Sequence, residues 1–256
     1  MKKIIISVLA VLAVIMTAPL CAHARVGYDD NFNDGVRDVI LWTEGGNTGS
    51  SKLSLSETGG VLSFTASGVS ANPLDEISRS YESTWVADFS RDFTYVVNYN
   101  NPFSSAGVDG IPVWGGTEIG LHKSGLELWS SAENKGLNKI FDASIWNSND
   151  DFIKQAGRSD TGTIGVSYSV ATDTLNFIGI TDQGVDVLSG AQILDFTKTY
   201  DATGLHVYLR GWTEGANFNA SLDNFQGPVA TPEPVSSALF LLGGAALAIK
   251  RRKVKV

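Results

Sequence analysis

The chain is poor in the residues that build metal and thiol chemistry. It has one cysteine, Cys21, and three histidines, His23, His122 and His206, in 256 residues. A disulfide framework is excluded, and with no H-x-x-x-H spacing a catalytic zinc site has no ligand set. There is no G-x-S-x-G elbow and no G-x-x-x-x-G-K phosphate loop, so serine-hydrolase and nucleotide chemistry lack their motifs. Basic residues are scarce in the body. Seven of the 19 Lys and Arg lie in the terminal segments, so residues 25–228 carry 12 basic against 26 acidic side chains, a formal charge of −14. Such a surface repels nucleic acid and anionic lipid, which need Lys and Arg to replace their counterions. No two acidic residues are separated by a single residue. A strand therefore never offers two carboxylates side by side on one face, an arrangement suited to glycosidic cleavage.

What the body does contain is period-two alternation. Ile164, Val166, Tyr168 and Val170 alternate with Gly165, Ser167 and Ser169, and the apolar run from Leu175 to Ile180 follows after Ala171-Thr172-Asp173. That is a hairpin pattern. Phe93, Tyr95, Val97 and Tyr99 form another one-faced strand, as do Leu62, Phe64 and Ala66, and Leu205, Val207 and Leu209. With Gly, Asn, Asp and Ser between short strands and no helical apolar pattern, residues 25–228 are predicted to form one all-β antiparallel sandwich of jelly-roll size. Helix is expected in the terminal segments and in one short turn near Asp142 to Phe152. The glycine pairs Gly45-Gly46, Gly59-Gly60 and Gly115-Gly116 are expected in turns.

The termini read as addresses. Lys2 and Lys3 precede the apolar run Ile4 to Met16, and Ala22-His23-Ala24 offers a cleavage site before Arg25, so residues 1–24 are predicted to be a secretory signal peptide. Cys21 would leave with it, and Leu20 ahead of it does not suit a lipoprotein site. At the other end, Pro232-Glu233-Pro234 precedes an apolar run from Val235 to Ile249, followed by Lys250, Arg251, Arg252, Lys253 and Lys255. As a helix the run spans roughly 22 Å at about 1.5 Å per residue, short of a ~30 Å bilayer core. The basic end would stay on the cytoplasmic side. This order of elements in residues 229–256 resembles the PEP-CTERM sorting signal. The resemblance implies recognition and cleavage by an exosortase near the PEP motif, after signal peptidase and a transient stay in the inner membrane, and delivery to the cell surface or extracellular matrix. An unprocessed tail anchor is the alternative.

The body has a resemblance of its own. Asp29-Asp30-Asn31-Phe32-Asn33-Asp34-Gly35, Leu41-Trp42 and Gly60-Val61-Leu62-Ser63-Phe64 at the start, with Ala220-Ser221-Leu222-Asp223-Asn224-Phe225 at the end, resemble the first and last strands of a concanavalin-like (laminin-G or legume-lectin-like) jelly roll. In that fold these strands are neighbours, which implies that Asp29, Asp30, Asn31, Asp34 and Asp223 come together. Their oxygens suit a structural calcium; equally, Asp and Asn in such positions are turn formers.

Two functional faces are candidates. If Thr117 to Lys123 is extended, Glu118 and His122 share a face, and Glu127 joins them across a turn at Ser124-Gly125. This pair of carboxylates could serve a polysaccharide hydrolase or lyase, or be polar residues on a solvated sheet. His206, Tyr208, Arg210 and Trp212 point away from the Leu205, Val207 and Leu209 face and offer the aromatic and polar groups that sugars need, with Trp114, Trp129 and Trp146 as further contributors. The alternative is that another layer covers this face. The expected role is a non-catalytic, exopolysaccharide- or surface-associated protein. A hydrolase on the same fold and a purely structural surface protein are the other readings.

Overall fold

A computed structural model describes residues 29–46, 52–67, 76–102, 114–136, 138–147, 150–214 and 217–228. The segments expected to be a signal peptide and a PEP-CTERM-like sorting signal, including Pro232, Glu233, Pro234, Lys250, Arg251 and Arg252, lie outside the described residues.

Two antiparallel sheets are packed face to face. In chain order the strands are β1 (Trp42–Gly45), β2 (Leu53–Thr58), β3 (Val61–Ala66), β4 (Glu76–Val86), β5 (Phe93–Asn100), β6 (Trp114–Lys123), β7 (Leu126–Lys135), β8 (Asn138–Trp146), β9 (Asp150–Gly157), β10 (Thr161–Ser169), β11 (Thr174–Thr181), β12 (Gln192–Ile193), β13 (His206–Glu214) and β14 (Phe218–Gln226). The first sheet has the order β1-β4-β13-β6-β7-β8-β9 and the second β12-β11-β10-β5-β14-β3-β2. The fold is a jelly-roll sandwich, as the alternation predicts.

The core lies between the sheets because each strand buries alternate residues. Val207, Leu209, Ile119, Leu121, Leu128 and Phe141 of the first sheet are fully buried, as are Leu62, Phe64, Val97, Ile164 and Val166 of the second. The sheets interlock: the Tyr99 ring meets Phe141 edge-on at 5.6 Å, and Ser130 Oγ donates to the Ile178 carbonyl at 2.7 Å. The chain ends of the sandwich lie together, since Asp30 and Phe225 exchange backbone hydrogen bonds of 3.0 and 2.8 Å. Trp42 seals that corner, fully buried with Nε1 donating to Asp30 Oδ2 at 2.8 Å.

Two local expectations are corrected. Residues from Asp142 onward form no helical turn: they belong to β8, pair with β7 and β9, and alternate buried Phe141, Ala143 and Ile145 with Asp142 and Ser144 on the other face. The short helix among the described residues is instead α1 (Phe196–Thr199), whose Phe196 stacks on Phe89 at 5.3 Å. Gly115-Gly116 is not a turn either; it lies within β6. A Cβ on Gly116 would meet the Ala132 carbonyl at 2.8 Å and Glu133 Cγ at 3.0 Å, so glycine here gives the Glu133 side chain its room.

Candidate functional site

The outer face of the first sheet is set by register. Arg210 on β13 lies opposite Glu118 on β6, which lies opposite Ser131 on β7, which lies opposite Asp142 on β8. One step along, Trp212, Gly116 and Glu133 form the next row, and in the other direction Tyr208, Gly120, Trp129 and Ser144 form another. Side chains of one parity therefore meet on one surface although their strands are far apart in sequence. Glycine at position 120 lets the Tyr208 ring lie flat on the sheet, since a Cβ there would fall 2.8 Å from Tyr208 Cε1.

These rows line an open cleft of about 360 Å³. Trp114, Trp129, Trp146, Trp212 and Phe152 supply aromatic surface, and Glu76, Glu118, Glu127, Glu133, Asp142 and Glu214 supply carboxyl groups. Arg210 and Lys135 are the cations among the described lining residues.

The expected pair Glu118 and Glu127 is tied to one guanidinium. Arg210 Nε and Nη2 reach Glu118 Oε2 at 2.8 and 2.7 Å, Nη2 reaches Glu127 Oε1 at 2.8 Å, and Tyr208 Oη donates to Glu118 Oε2 at 3.2 Å. Glu118 is 2% exposed. Burial raises its carboxyl above the ordinary range, and Arg210 opposes that shift. His122 sits two rows beyond Glu118, past Gly120, and does not line the cleft. Its ring meets Tyr208 edge-on at 5.3 Å, and Nε2 lies 3.5 Å from Glu82 Oε2. His206 is also outside the cleft, with Nδ1 2.8 Å from the Ser83 carbonyl. Tyr208 is a buried member of the ion-pair cluster. Of the four residues expected to form the binding face, Trp212 and Arg210 line the cleft.

Glu133 and Asp142 form a second carboxyl pair on adjacent strands, unforeseen from the sequence. Both are buried, and their hydrogen bonds come from neutral donors: Ser131 Oγ to Glu133 Oε1 at 2.5 Å, Ser144 Oγ to Asp142, and Gln155 Nε2 to Asp142 Oδ2 at 2.9 Å. Burial, and then the carboxylate of Asp142, push Glu133 up to about 7. Its folded value lies above the unfolded one, so its contribution to stability is present below 4.5 and drains away as the pH climbs through about 7. Glu133→Gln, an uncharged isostere, is expected to raise stability by about 1–2 kcal/mol near pH 8 and to leave it almost unchanged near pH 4. Urea unfolding at the two pH values measures this, and equal shifts at both would show that Glu133 titrates alike in the folded and unfolded chain. The signal for Glu133 was present in the alternation of Glu127, Trp129, Ser131 and Glu133 with Leu126 and Leu128. Asp142 was hidden by the expected helical turn.

The acidic ends do approach, but their oxygens are engaged in local turns or, for Asp29, by the other end of the sandwich. Asp30 Oδ1 accepts from Phe32 N at 2.9 Å, Asn31 Oδ1 from Asn33 N at 3.4 Å, Asp34 Oδ1 from Val36 N at 3.1 Å, and Asp29 Oδ1 from Gly227 N at 3.0 Å. Asp223 sits on β14 opposite Asn98. Among the described residues no group of three or more His, Cys, Asp or Glu side chains converges as a metal site.

No family model matches the sequence, and no curated protein matches it. Solved structures do. An endo-1,3-beta-glucanase from Streptomyces sioyaensis superposes with a TM-score of 0.54 at 13% identity, covering 81% of this chain and 97% of that one. A beta-1,3-glucanase from Mycobacterium marinum gives 0.53 at 9% identity, covering 80% and 99%. The likeness is one of fold. It makes the sandwich concanavalin-like, and the chemistry of the cleft must be argued from its own residues.

Proposed function

We propose that the protein is an exported bacterial sandwich that holds polysaccharide in the cleft on the outer face of its first sheet and does not cleave it. The carrying observation is the cleft itself, where Trp129 and Trp212 lie among carboxyl groups with Trp114, Trp146 and Phe152 around them. Sugar rings present apolar C–H faces and polar hydroxyls, and such a surface answers both. The fold it shares with 1,3-β-glucanases supports a glycan ligand. The pair Glu118 and Glu127 supports the non-catalytic reading, because Arg210 holds one oxygen of each and so keeps them from a ligand, although burial raises Glu118 to about 8.

One observation favours the hydrolase reading. Burial raises Glu133 to about 7 beside Asp142, and a raised acid next to a second carboxyl group is a pairing that glycoside cleavage uses. Calorimetric titration of the full-length protein with linear β-glucan oligosaccharides, with and without calcium, separates the readings when paired with an assay for new reducing ends. Binding without cleavage is expected, and Trp129→Ala and Trp212→Ala are each expected to weaken it about tenfold. Reducing ends that vanish in Glu133→Gln would replace the binding reading with hydrolysis. No binding across a panel of glycans would leave a structural surface protein.

Delivery is part of the same proposal: signal peptidase acts at the N-terminus, and an exosortase acts at Pro232-Glu233-Pro234 ahead of the short apolar run and basic end. Its support is the order of those elements in the sequence. Mass spectrometry of the mature chain from its host tests it, and an intact Val256 would leave a tail-anchored protein.

A further inference from the structure

We infer that the cleft is built for a glycan carrying protonated amines, a chain of glucosamine-type units, rather than for a neutral or a uronic-acid chain. The inference rests on the glycan-binding reading and narrows its substrate class.

The first support is charge. Carboxyl groups outnumber cations six to two among the described lining residues, and four to two with Glu118 and Glu133 set aside, since burial raises those two to about 8 and about 7. Arg210 is committed to Glu118 and Glu127 by contacts of 2.7 to 2.8 Å. Glu133 and Asp142 take their hydrogen bonds from Ser131, Ser144 and Gln155, which bring no positive charge. Glu133 and Glu214 are raised by burial and by neighbouring carboxylates, Asp142 for the one and Glu76 for the other. Carboxyl groups crowded in this way repel a uronate and gain from an added cation.

The second support is an ammonium already in place. Lys135 Nζ lies 5.0 Å from the Trp114 ring centroid and 4.9 Å from that of Phe152. Lys135 lies opposite Trp114, which in turn lies opposite Glu214, and Glu133 is two residues away on the same strand. Aromatic faces near carboxyl groups, as Glu133 and Glu214 are near Lys135, are a favourable setting for an ammonium. Lys135 thus occupies, at one end of the cleft, the kind of site that a ligand amine would seek. An amino sugar brings an ammonium together with the apolar ring face that Trp129 and Trp212 can stack against. A polyamine or a lysine-rich peptide brings only the charge.

The test is calorimetric titration of the full-length protein with two hexasaccharides of equal length, β-1,4-linked glucosamine and its fully N-acetylated form, below the amine pKa and at low and high salt. The glucosamine hexamer is expected to bind at least about tenfold tighter at low salt and to lose that margin at high salt. Glu214→Gln and Asp142→Asn are expected to cut its affinity several-fold, and to cut that of the acetylated hexamer less. Lys135→Met removes the competing ammonium and is expected to strengthen glucosamine binding. Equal affinity for the two hexamers, or weaker glucosamine binding in Lys135→Met, would overturn the amine preference while the glycan-binding reading stood. So would a lysine oligomer of the same charge that bound as tightly. Failure to bind either hexamer or any neutral β-glucan would overturn the glycan-binding reading itself.

Discussion

Arg210→Met is expected to destabilise the protein by about 3–5 kcal/mol at neutral pH, the usual penalty for removing one partner of a buried ion pair. The guanidinium joins β13 to both β6 and β7 through Glu118 and Glu127. It also keeps company with the buried Tyr208, whose hydroxyl donates to the same Glu118 oxygen. Methionine fills the volume but leaves a carboxylate that is 2% exposed with no cation. Glu118 would then hold its proton to still higher pH, because burial already raises it and Arg210 no longer opposes the shift. A folded-state value raised above the unfolded one costs nothing at pH below both and most at pH above both. The deficit is therefore expected to shrink in acid and to reach its full size in mild alkali. Adding Glu118→Gln should recover part of it, since the two sites share one interaction. Urea unfolding midpoints for wild type, both single variants and the double variant measure each of these quantities. A loss under about 1 kcal/mol, independent of pH, would mean that the cluster behaves as a solvated surface pair.

The readable part of this fold is the part written by nearest-neighbour alternation. Val207 and Leu209 had to face a core, and so His206, Tyr208, Arg210 and Trp212 had to face the other way. The turn at Ser124-Gly125 was expected to bring in Glu127 from the next strand, and in the hairpin it forms Glu127 pairs with His122. What alternation does not carry is which strands become neighbours. β13 enters between β4 and β6, so Arg210 meets Glu118 across 92 residues of chain. Two candidate groups thereby became one cluster, and neither could be seen in the other's segment. Asp142 was misplaced because Asp, Ser and Asn between apolar residues read as a turn. In the sandwich Asp142 lines the cleft, where Ser144 and Gln155 satisfy it. Gly115-Gly116 failed for a related reason. Paired glycines mark turns when the backbone needs freedom, but here their use is close approach, with Glu133 resting on the sheet at Gly116.

The support beneath Glu133 sets the other large expected effect. Arg158 follows β9 and is 7% exposed, with its fork spread over backbone and amide acceptors. Nε donates to the Glu133 carbonyl at 2.9 Å, Nη1 to the Asn101 and Ser159 carbonyls at 3.0 and 2.7 Å, and Nη2 to Asn134 Oδ1. Asn101 completes the lattice, donating to the Ala132 carbonyl at 2.8 Å and accepting from Asn134 Nδ2 at 3.2 Å. The end of β7 that presents Glu133 is thus held by two side chains, Arg158 and Asn101. Arg158→Met is expected to cost about 3 kcal/mol, because several buried acceptors lose their donor while the relief of removing a buried charge returns only part of that loss. Arg158→Lys should recover less than half, since an ammonium cannot reproduce the planar fork. The strand end would also loosen, and hydrogen exchange at Ala132 to Asn134 is expected to accelerate more than at Leu126 to Leu128 near the other end of the same strand. Uniform acceleration along β7 would show that Arg158 supports the sandwich as a whole. Acceleration confined to its far end would show that it anchors the part of the cleft where Glu133, Asp142 and Lys135 would meet a ligand.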